Sequence, residues 1–292
     1  MSEQNLEFTG ERFVPECERE IWYEHYHRYL MVSELVTGKK VLDAACGEGY
    51  GSALIASYAD KVVGVDIDAN SIKHAKQRYV ASNLKFVCAD VLAIPIPDSS
   101  FDVVVSFETL EHLAEHEQLL AEYKRLLTDD GVLIISTPDK AEYSDKTGFN
   151  NEYHVKELYR HEFKSLLDSH FSEQIWLGQK LMFNSVIWQL DKPVEDFSWQ
   201  HLDQNNTVNE QHIPYPPIYY IVVAAQNRTL IEKVRDGYVF SEHEETVYGH
   251  YHAVIRAHIK AEQDLITLQQ KQQNWLNHPL IGRLIRWFDR EK

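Results

Sequence analysis

Five short apolar runs constrain this chain most. They are KVLDAAC (40–46), KVVGVDI (61–67), LKFVCAD (84–90), FDVVVSFE (101–108) and GVLIISTP (131–138). β-Branched residues dominate them, and most lack polar alternation, as expected of strands buried on both faces. Helical patterns lie between several of them: IKHAKQRYV after the second and LEHLAEHEQLLAEYKRLL after the fourth. Strands alternating with helices imply βαβ units and a parallel, doubly wound sheet. TDDG (128–131) is expected to stop the preceding helix and turn the chain into the fifth strand.

After residue 150 the order changes. KELYRHEFKSLLDSHF reads as a helix, SEQIWLGQK as a strand, residues 179–217 as an irregular insertion rich in aromatics and proline, and YYIVVAAQN (219–227) as a last strand. The expected fold is therefore α/β, Rossmann-like, with a mostly parallel sheet finished by an antiparallel last strand, over residues 1–227. Residues 228–292 are expected to form a helical, coiled-coil-like extension. In it Tyr251, Val254, His258, Ala261, Leu265, Leu268, Gln272 and Trp275 recur at three and four residues, an imperfect heptad seam that Pro279 breaks. LIGRLIRWFDR (280–290) follows as a basic, aromatic segment.

Composition narrows the function. The 292 residues carry a formal charge of -16, which argues against nucleic acid as a partner, because phosphate binding needs a basic face. Three widely spaced cysteines, Cys17, Cys46 and Cys88, read as reduced and cytosolic. The polar, acidic N-terminus does not resemble a signal peptide, and no apolar run reaches the roughly 20 residues of a membrane span.

The first run leads into VLDAACGEGYGSAL (41–54). A dinucleotide fingerprint would place a third glycine at position 52, which is Ser52; the spacing is G-x-G-x-G. Asp43 beside the turn would repel a pyrophosphate and attract an ammonium. Asp66 ends the second run, placed to accept from ribose hydroxyls. Asp90 ends the third, placed to accept from an exocyclic amine. Three consecutive strand ends thus deliver an acid to the carboxyl edge of the sheet, where open α/β folds bind ligands. A nucleoside carrying an amino acid, S-adenosylmethionine, fits that set.

In these motifs the chain resembles the class I S-adenosylmethionine-dependent methyltransferases, strongly over residues 38–138. The resemblance implies that Gly47 and Gly49, with Ala45 and Tyr50 of the same turn, line the methionine portion. It implies that Asp66 holds the ribose, Ile67 packs on adenine, Asp90 and the Val91 backbone read the adenine edge, and Phe107 and Glu108 lie near the sulfonium. Family members commonly close a helix over the cofactor from the N-terminal side. FTGERFVPE (8–16) and IWYEHYHRYLMVSEL (21–35) occupy that place, with Arg12, Tyr26 and Arg28 as candidates for the cofactor carboxylate; the alternative is that Arg28 is a surface charge and Tyr26 packs in the core.

Glu108, Glu111 and His112 stand at i, i+3 and i+4, and on a helix would share one face. His154 lies beyond the fifth run. E-x-x-E-H with a distant histidine resembles the quinone-biosynthesis O-methyltransferases and the small-RNA 3′-end methyltransferases, in which such residues bind a divalent metal. Three readings stand in this order: His154 or His112 as a metal-free general base; Glu108, Glu111, His112 and His154 as ligands of a Mg or Mn type cation; and local hydrogen bonding at a helix start. His116, one turn on, is expected to face solvent.

For the acceptor, Trp188, Phe197, Trp199 and Tyr215 of the insertion suit stacking on sugar faces or plain packing. The motif set also resembles methyltransferases of bacterial surface-polysaccharide (O-antigen, lipopolysaccharide) gene clusters. That implies a hydroxyl of a glycan as acceptor, as in chain capping. The alternatives are a small-molecule O- or N-methyltransferase of quinone-precursor type and a cofactor-binding scaffold without turnover. The tail is expected to self-associate, to dock a polysaccharide-assembly enzyme, or to touch an anionic membrane surface weakly. The expected location is the cytoplasm or the inner face of the membrane.

Overall fold

The computed structural model describes residues 20–191, 198–202, 205, 207–210, 213–279 and 281. Arg12, Cys17, Phe197 and nearly all of the 280–290 segment lie outside them. Two units are separated at Phe240/Ser241, so residues 228–240 belong with the first unit rather than with the extension.

The first unit begins with helix α1 (Glu20–Val36), followed by β1 (Lys40–Ala44), α2 (Tyr50–Ala56), β2 (Lys61–Asp66), α3 (Ala69–Arg78), β3 (Leu84–Cys88) and β4 (Phe101–Ser106). Then come α4 (His116–Leu126), β5 (Leu127–Pro138), α5 (Arg160–Asp168), β6 (Glu173–Gln179), a small hairpin of β7 (Gln200–Leu202) and β8 (Val208–Glu210), and β9 (Tyr219–Ala225). The main sheet runs β3-β2-β1-β4-β5-β9-β6. Strands β1 to β5 pair in parallel, and β9 lies antiparallel between β5 and β6. This is the expected doubly wound sheet with an antiparallel last strand, and β7–β8 add a hairpin to the insertion.

The missing alternation in the strands has its physical cause here. Leu42, Val63, Val65 and Val104 enter one core, under Leu119, Tyr123, Phe163 and Leu167 of α4 and α5. Their neighbours Val41, Val62, Val103 and Val105 enter the other, under Val32 of α1, Ile55 of α2 and Ile72 of α3. Both faces of the sheet are covered, so both positions of the pleat are apolar.

Two local expectations are corrected. Helix α4 starts only at His116; before it lies a short 3-10 turn, Leu110–His112. TDDG is no separate turn. Strand β5 begins directly at Leu127, and residues 128–131 bulge from the ladder, because Phe101 pairs with Leu127 while Val103 pairs with Val132.

The second unit is dominated by one 32-residue helix, α6 (Thr246–Asn277). Pro279 follows its end, as expected. The seam residues Val254, Leu265, Leu268 and Trp275 are all more than half exposed, so α6 displays the heptad stripe without forming a coiled coil among the described residues. None of the described helices is long and apolar enough to cross a membrane.

Candidate active site

The carboxyl ends of the parallel strands form the site. In register, Ala44 pairs with Val65 and with Ser106, and Asp66 pairs with Cys88. The turn after β1, Asp66, and Phe107–Glu108 therefore meet at one edge.

The turn is built on left-handed backbone. Ala45, Gly47 and Gly49 have φ of 56°, 55° and 94°. Gly49 is required twice over: besides its φ, a Cβ there would lie 2.7 Å from the Phe86 ring. Gly47 differs, since a Cβ there would meet nothing within 4 Å. The space over Gly47 is an open cradle of the kind a ligand needs for close backbone approach. The Gly47 amide donates to Asp66 Oδ2 at 2.8 Å, and the Asp68 amide donates to Asp66 Oδ1 at 2.8 Å. A carboxylate oxygen can accept more than one hydrogen bond, so these contacts are compatible with a ribose hydroxyl at Asp66. Ile67 is 71% exposed beside it, a bare apolar platform suited to a base. Asp90 is exposed, with Oδ1 taken by the Leu92 amide at 2.9 Å, and Val91 is buried.

Asp43 does not face the cradle as expected. It is fully buried and accepts from Tyr29 Oη at 3.1 Å and Ser52 Oγ at 2.5 Å. Burial pushes its carboxyl up to about 7, against the pull of those two hydroxyls. Its part is to pin the turn from beneath, and Ser52, at the place of the absent third glycine, is one of the pins. Tyr50 opens α2 half-buried, edge-on to Tyr29 at 5.2 Å.

Arg28 lies across the edge from α1 and is 1% exposed. Its Nε donates to Gln179 Oε1 at 2.6 Å, and its guanidinium sits 4.5 Å over the Tyr219 ring. Nη1 lies 3.3 Å from Glu108 Oε1, and neither terminal nitrogen makes a hydrogen bond among the described residues. A buried guanidinium with unsatisfied forks fits a ligand carboxylate. Tyr26 is otherwise engaged: it stacks on Trp22 at 4.8 Å and approaches Phe240 at 5.6 Å. Phe107 is buried edge-on to Tyr29. The residues present thus fit an amino-acid nucleoside: a cradle, a ribose acceptor, a base platform and an unsatisfied cation.

The second constellation is only partly as expected. Glu108 takes φ 49° and leaves the helical path, so the three acids and bases do not share one face. Its Oε1 accepts from Ser136 Oγ at 2.5 Å and points towards Arg28. Glu111, His112 and His154 do come together, with one ligand atom of each within 4.8 Å of the others. His112 Nδ1 lies 3.0 Å from the Tyr153 carbonyl and His154 Nδ1 lies 2.5 Å from Glu157 Oε1. Each imidazole is thereby oriented through its Nδ1, the outer-shell arrangement that metal-ligating histidines use. Glu111 is buried and accepts from Thr137 Oγ1 at 3.0 Å. Burial, and then the Glu108 charge, hold its carboxyl well above the usual range. A cation among the three would relieve that penalty, so the donor set fits a hard or borderline divalent ion.

His116 is not solvent-facing: it is 4% exposed. Sequence reasoning also missed Glu157, although HVKE carries the i, i+3 spacing of the His154–Glu157 pair, and it missed Gln179 and Tyr219, which no local signal marks. Of the insertion aromatics, Trp188 is 58% exposed, and Tyr215 joins Arg28, Met31 and Tyr238 around a cavity of about 330 Å³.

Residues 42–135 match the family model described as a methyltransferase domain. Over this segment the chain is similar to that domain. The chain is 36% identical over 165 residues to a probable S-adenosylmethionine-dependent methyltransferase of Mycobacterium tuberculosis, covering 56% of this chain and 60% of that one. It is 35% identical over 167 residues to a probable S-adenosylmethionine-dependent methyltransferase of Mycolicibacterium smegmatis, covering 56% and 64%. The matched segments thus span less than two thirds of those relatives. The methyltransferase domain of bacterial CtHen1-CN shares the fold at 16% identity and a TM-score of 0.50, over 70% of this chain and 100% of that one.

Proposed function

We propose that the chain is an S-adenosylmethionine-dependent O-methyltransferase whose acceptor is a hydroxyl of a bacterial surface glycan. The observation that carries the reading is the convergence of Glu111, His112 and His154, joined through Glu108 to the edge that holds the glycine turn. The surface-polysaccharide resemblance of the sequence motifs supports the glycan.

Arg28 holds the cofactor carboxylate, Asp66 the ribose, Ile67 and Asp90 the adenine. The methyl carbon–sulfur bond breaks as the oxygen–carbon bond forms, in line, so alignment supplies most of the rate. Glu108 offers its carboxylate near the sulfonium end. Arg28 Nη1 lies 3.3 Å from that carboxylate. The acceptor's proton must leave as the bond forms, and the Glu157-oriented His154 is set to receive it. A divalent cation of the Mg or Mn type, held by Glu111, His112 and His154, would supply Lewis acidity that lowers the hydroxyl's pKa and orients it. The first role needs the free ring nitrogen of His154; the second uses it as a ligand. The two are alternatives for one atom, and the short Glu157 contact favours either.

Labelled cofactor incubated with O-antigen-type oligosaccharides should give labelled glycan. Transfer to quinone precursors with none to saccharides would refute the glycan. A chelator that abolishes transfer assigns the cation; full activity in its presence assigns His154 as base. The α6 stripe is read in the same setting as a self-association surface.

A further inference from the structure

Strand β5 runs out into a segment that reaches back to His154. Beyond Pro138 the backbone pairs Asp139 with Leu158 in a parallel bridge, and the Lys140 amide donates to the Leu158 carbonyl at 3.2 Å. That bridge brings the two stretches together, and Ser144 meets Glu157 across 13 positions. Between them Ala141–Asp145 forms a π-turn, closed by the Lys146 amide on the Ala141 carbonyl at 3.1 Å. Such turns are rare and recur at functional sites.

Two consecutive residues of the turn touch the His154–Glu157 pair. The Tyr143 ring stacks on the imidazole, with 5.3 Å between centroids and 25° between planes. Ser144 Oγ donates to Glu157 Oε1 at 2.8 Å, and that same oxygen lies 2.5 Å from His154 Nδ1. The side chains of His154 and Glu157 are only 7% and 8% exposed, a dry setting in which hydrogen bonds are electrostatically stronger than in water. An ionised carboxylate accepts and does not donate. With the Ser144 hydrogen on one lone pair of Oε1, the hydrogen of the second contact belongs to Nδ1. The neutral imidazole then carries its lone pair on Nε2. The i, i+3 spacing of His154 and Glu157 does not fix this by itself, because the terminal torsion of a glutamate is broad and lets its oxygens turn. The Ser144 hydroxyl is what holds Oε1 in place.

We propose that Ser144 is a positioning residue of the methyl-transfer site. Through Glu157 it fixes the Nδ1–H tautomer of His154 and keeps the lone pair on Nε2, which His154 needs either as base or as cation ligand. This rests on the role given to His154 above.

Nitrogen-15 NMR of the histidine-labelled full chain reads the tautomer without any methyl transfer. A chelator is present, the pH is about 8, where an ordinary histidine is neutral, and His154→Ala assigns the signal. His154 should carry its hydrogen on Nδ1. Ser144→Ala should lower the ratio of that tautomer to the other about tenfold, as expected for one lost hydrogen bond to a charged group, and Ser144→Thr, which keeps the hydroxyl, should restore it. In turnover with O-antigen-type oligosaccharides, Ser144→Ala should lower kcat about tenfold with KM and cofactor affinity unchanged. Adding it to Glu157→Gln should cost nothing further, because Ser144 acts only through Glu157. A wild-type ring protonated on Nε2, equal tautomer ratios in the wild type and Ser144→Ala, or additive losses in the double variant overturns the positioning role. The expected tautomer shift with no saccharide methylated would remove the glycan and leave the role of Ser144 standing. Saccharide methylation with an unmoved tautomer ratio would do the reverse.

Discussion

Replacing Arg28 by Met asks most of this structure. Arg28 is buried, carries one hydrogen bond to Gln179, and is the charge nearest Glu108, whose side chain is 15% exposed. Methionine fills most of the volume, so the cavity contribution is small. The cost comes from the group left behind. Removing one partner of a buried ion pair typically costs 3–5 kcal/mol; the partial exposure of Glu108 puts this case near the low end, and the Gln179 carbonyl group adds about 1 kcal/mol. The expected loss is therefore about 4 kcal/mol in urea-induced unfolding. Adding Glu108→Gln to Arg28→Met should restore about 2 kcal/mol, because the charge left beside the missing guanidinium is then removed as well. The single variant should also lose cofactor affinity in calorimetry. A single-variant loss below about 1 kcal/mol would refute the reasoning, since it would mean that the pair behaves as a surface ion pair.

Asp43 gives a pH prediction of definite sign. Its folded-state pKa is raised to about 7, so the native state binds more protons than the unfolded chain between the ordinary 3.8 and 7. Stability is then fully present below the ordinary value and falls as pH rises through 7; Glu24, also raised to about 7 by burial, adds to the slope. Asp43→Asn should flatten the fall in melting temperature over that window, and an unchanged slope would count against the burial argument. His154→Ala should lower turnover by about 100-fold or more with cofactor affinity unchanged, whereas equal losses of both would make His154 a cofactor-shaping residue. The exposed stripe of α6 should support self-association that Leu265→Glu with Leu268→Glu abolishes in sedimentation; identical masses for both proteins would dismiss it.

The parts of the molecule that the chain encodes locally were readable in it. Five runs without polar alternation predict strands covered on both faces, and Leu42 and Val41 do enter opposite cores. The order of Asp43, Gly47, Asp66 and Asp90 predicts a ligand edge, because consecutive parallel strands must end side by side. Orientation was not readable. Asp43 is buried because Tyr29 and Ser52 reach it from α1 and α2, and spacing alone says nothing of which way an acid turns. Glu108 leaves the E-x-x-E-H face because its backbone takes the left-handed region and Arg28, 80 positions earlier, draws its carboxylate. His116 is buried at the start of α4 although its sequence neighbours are polar, a tertiary event that local sequence does not show. Against this, Glu157 was within reach of the sequence, since an i, i+3 carboxylate beside a candidate histidine is a local signal.

Calorimetric titration of S-adenosylmethionine into the wild-type chain and into Asp66→Ala tests the central claim most directly. Two ribose hydrogen bonds to a carboxylate, each about 1.5 kcal/mol, together make about 100-fold in affinity. The account predicts one saturable site in the wild-type chain and a dissociation constant raised about 100-fold in the variant. Equal affinity in the two proteins, or no binding to either, would contradict it.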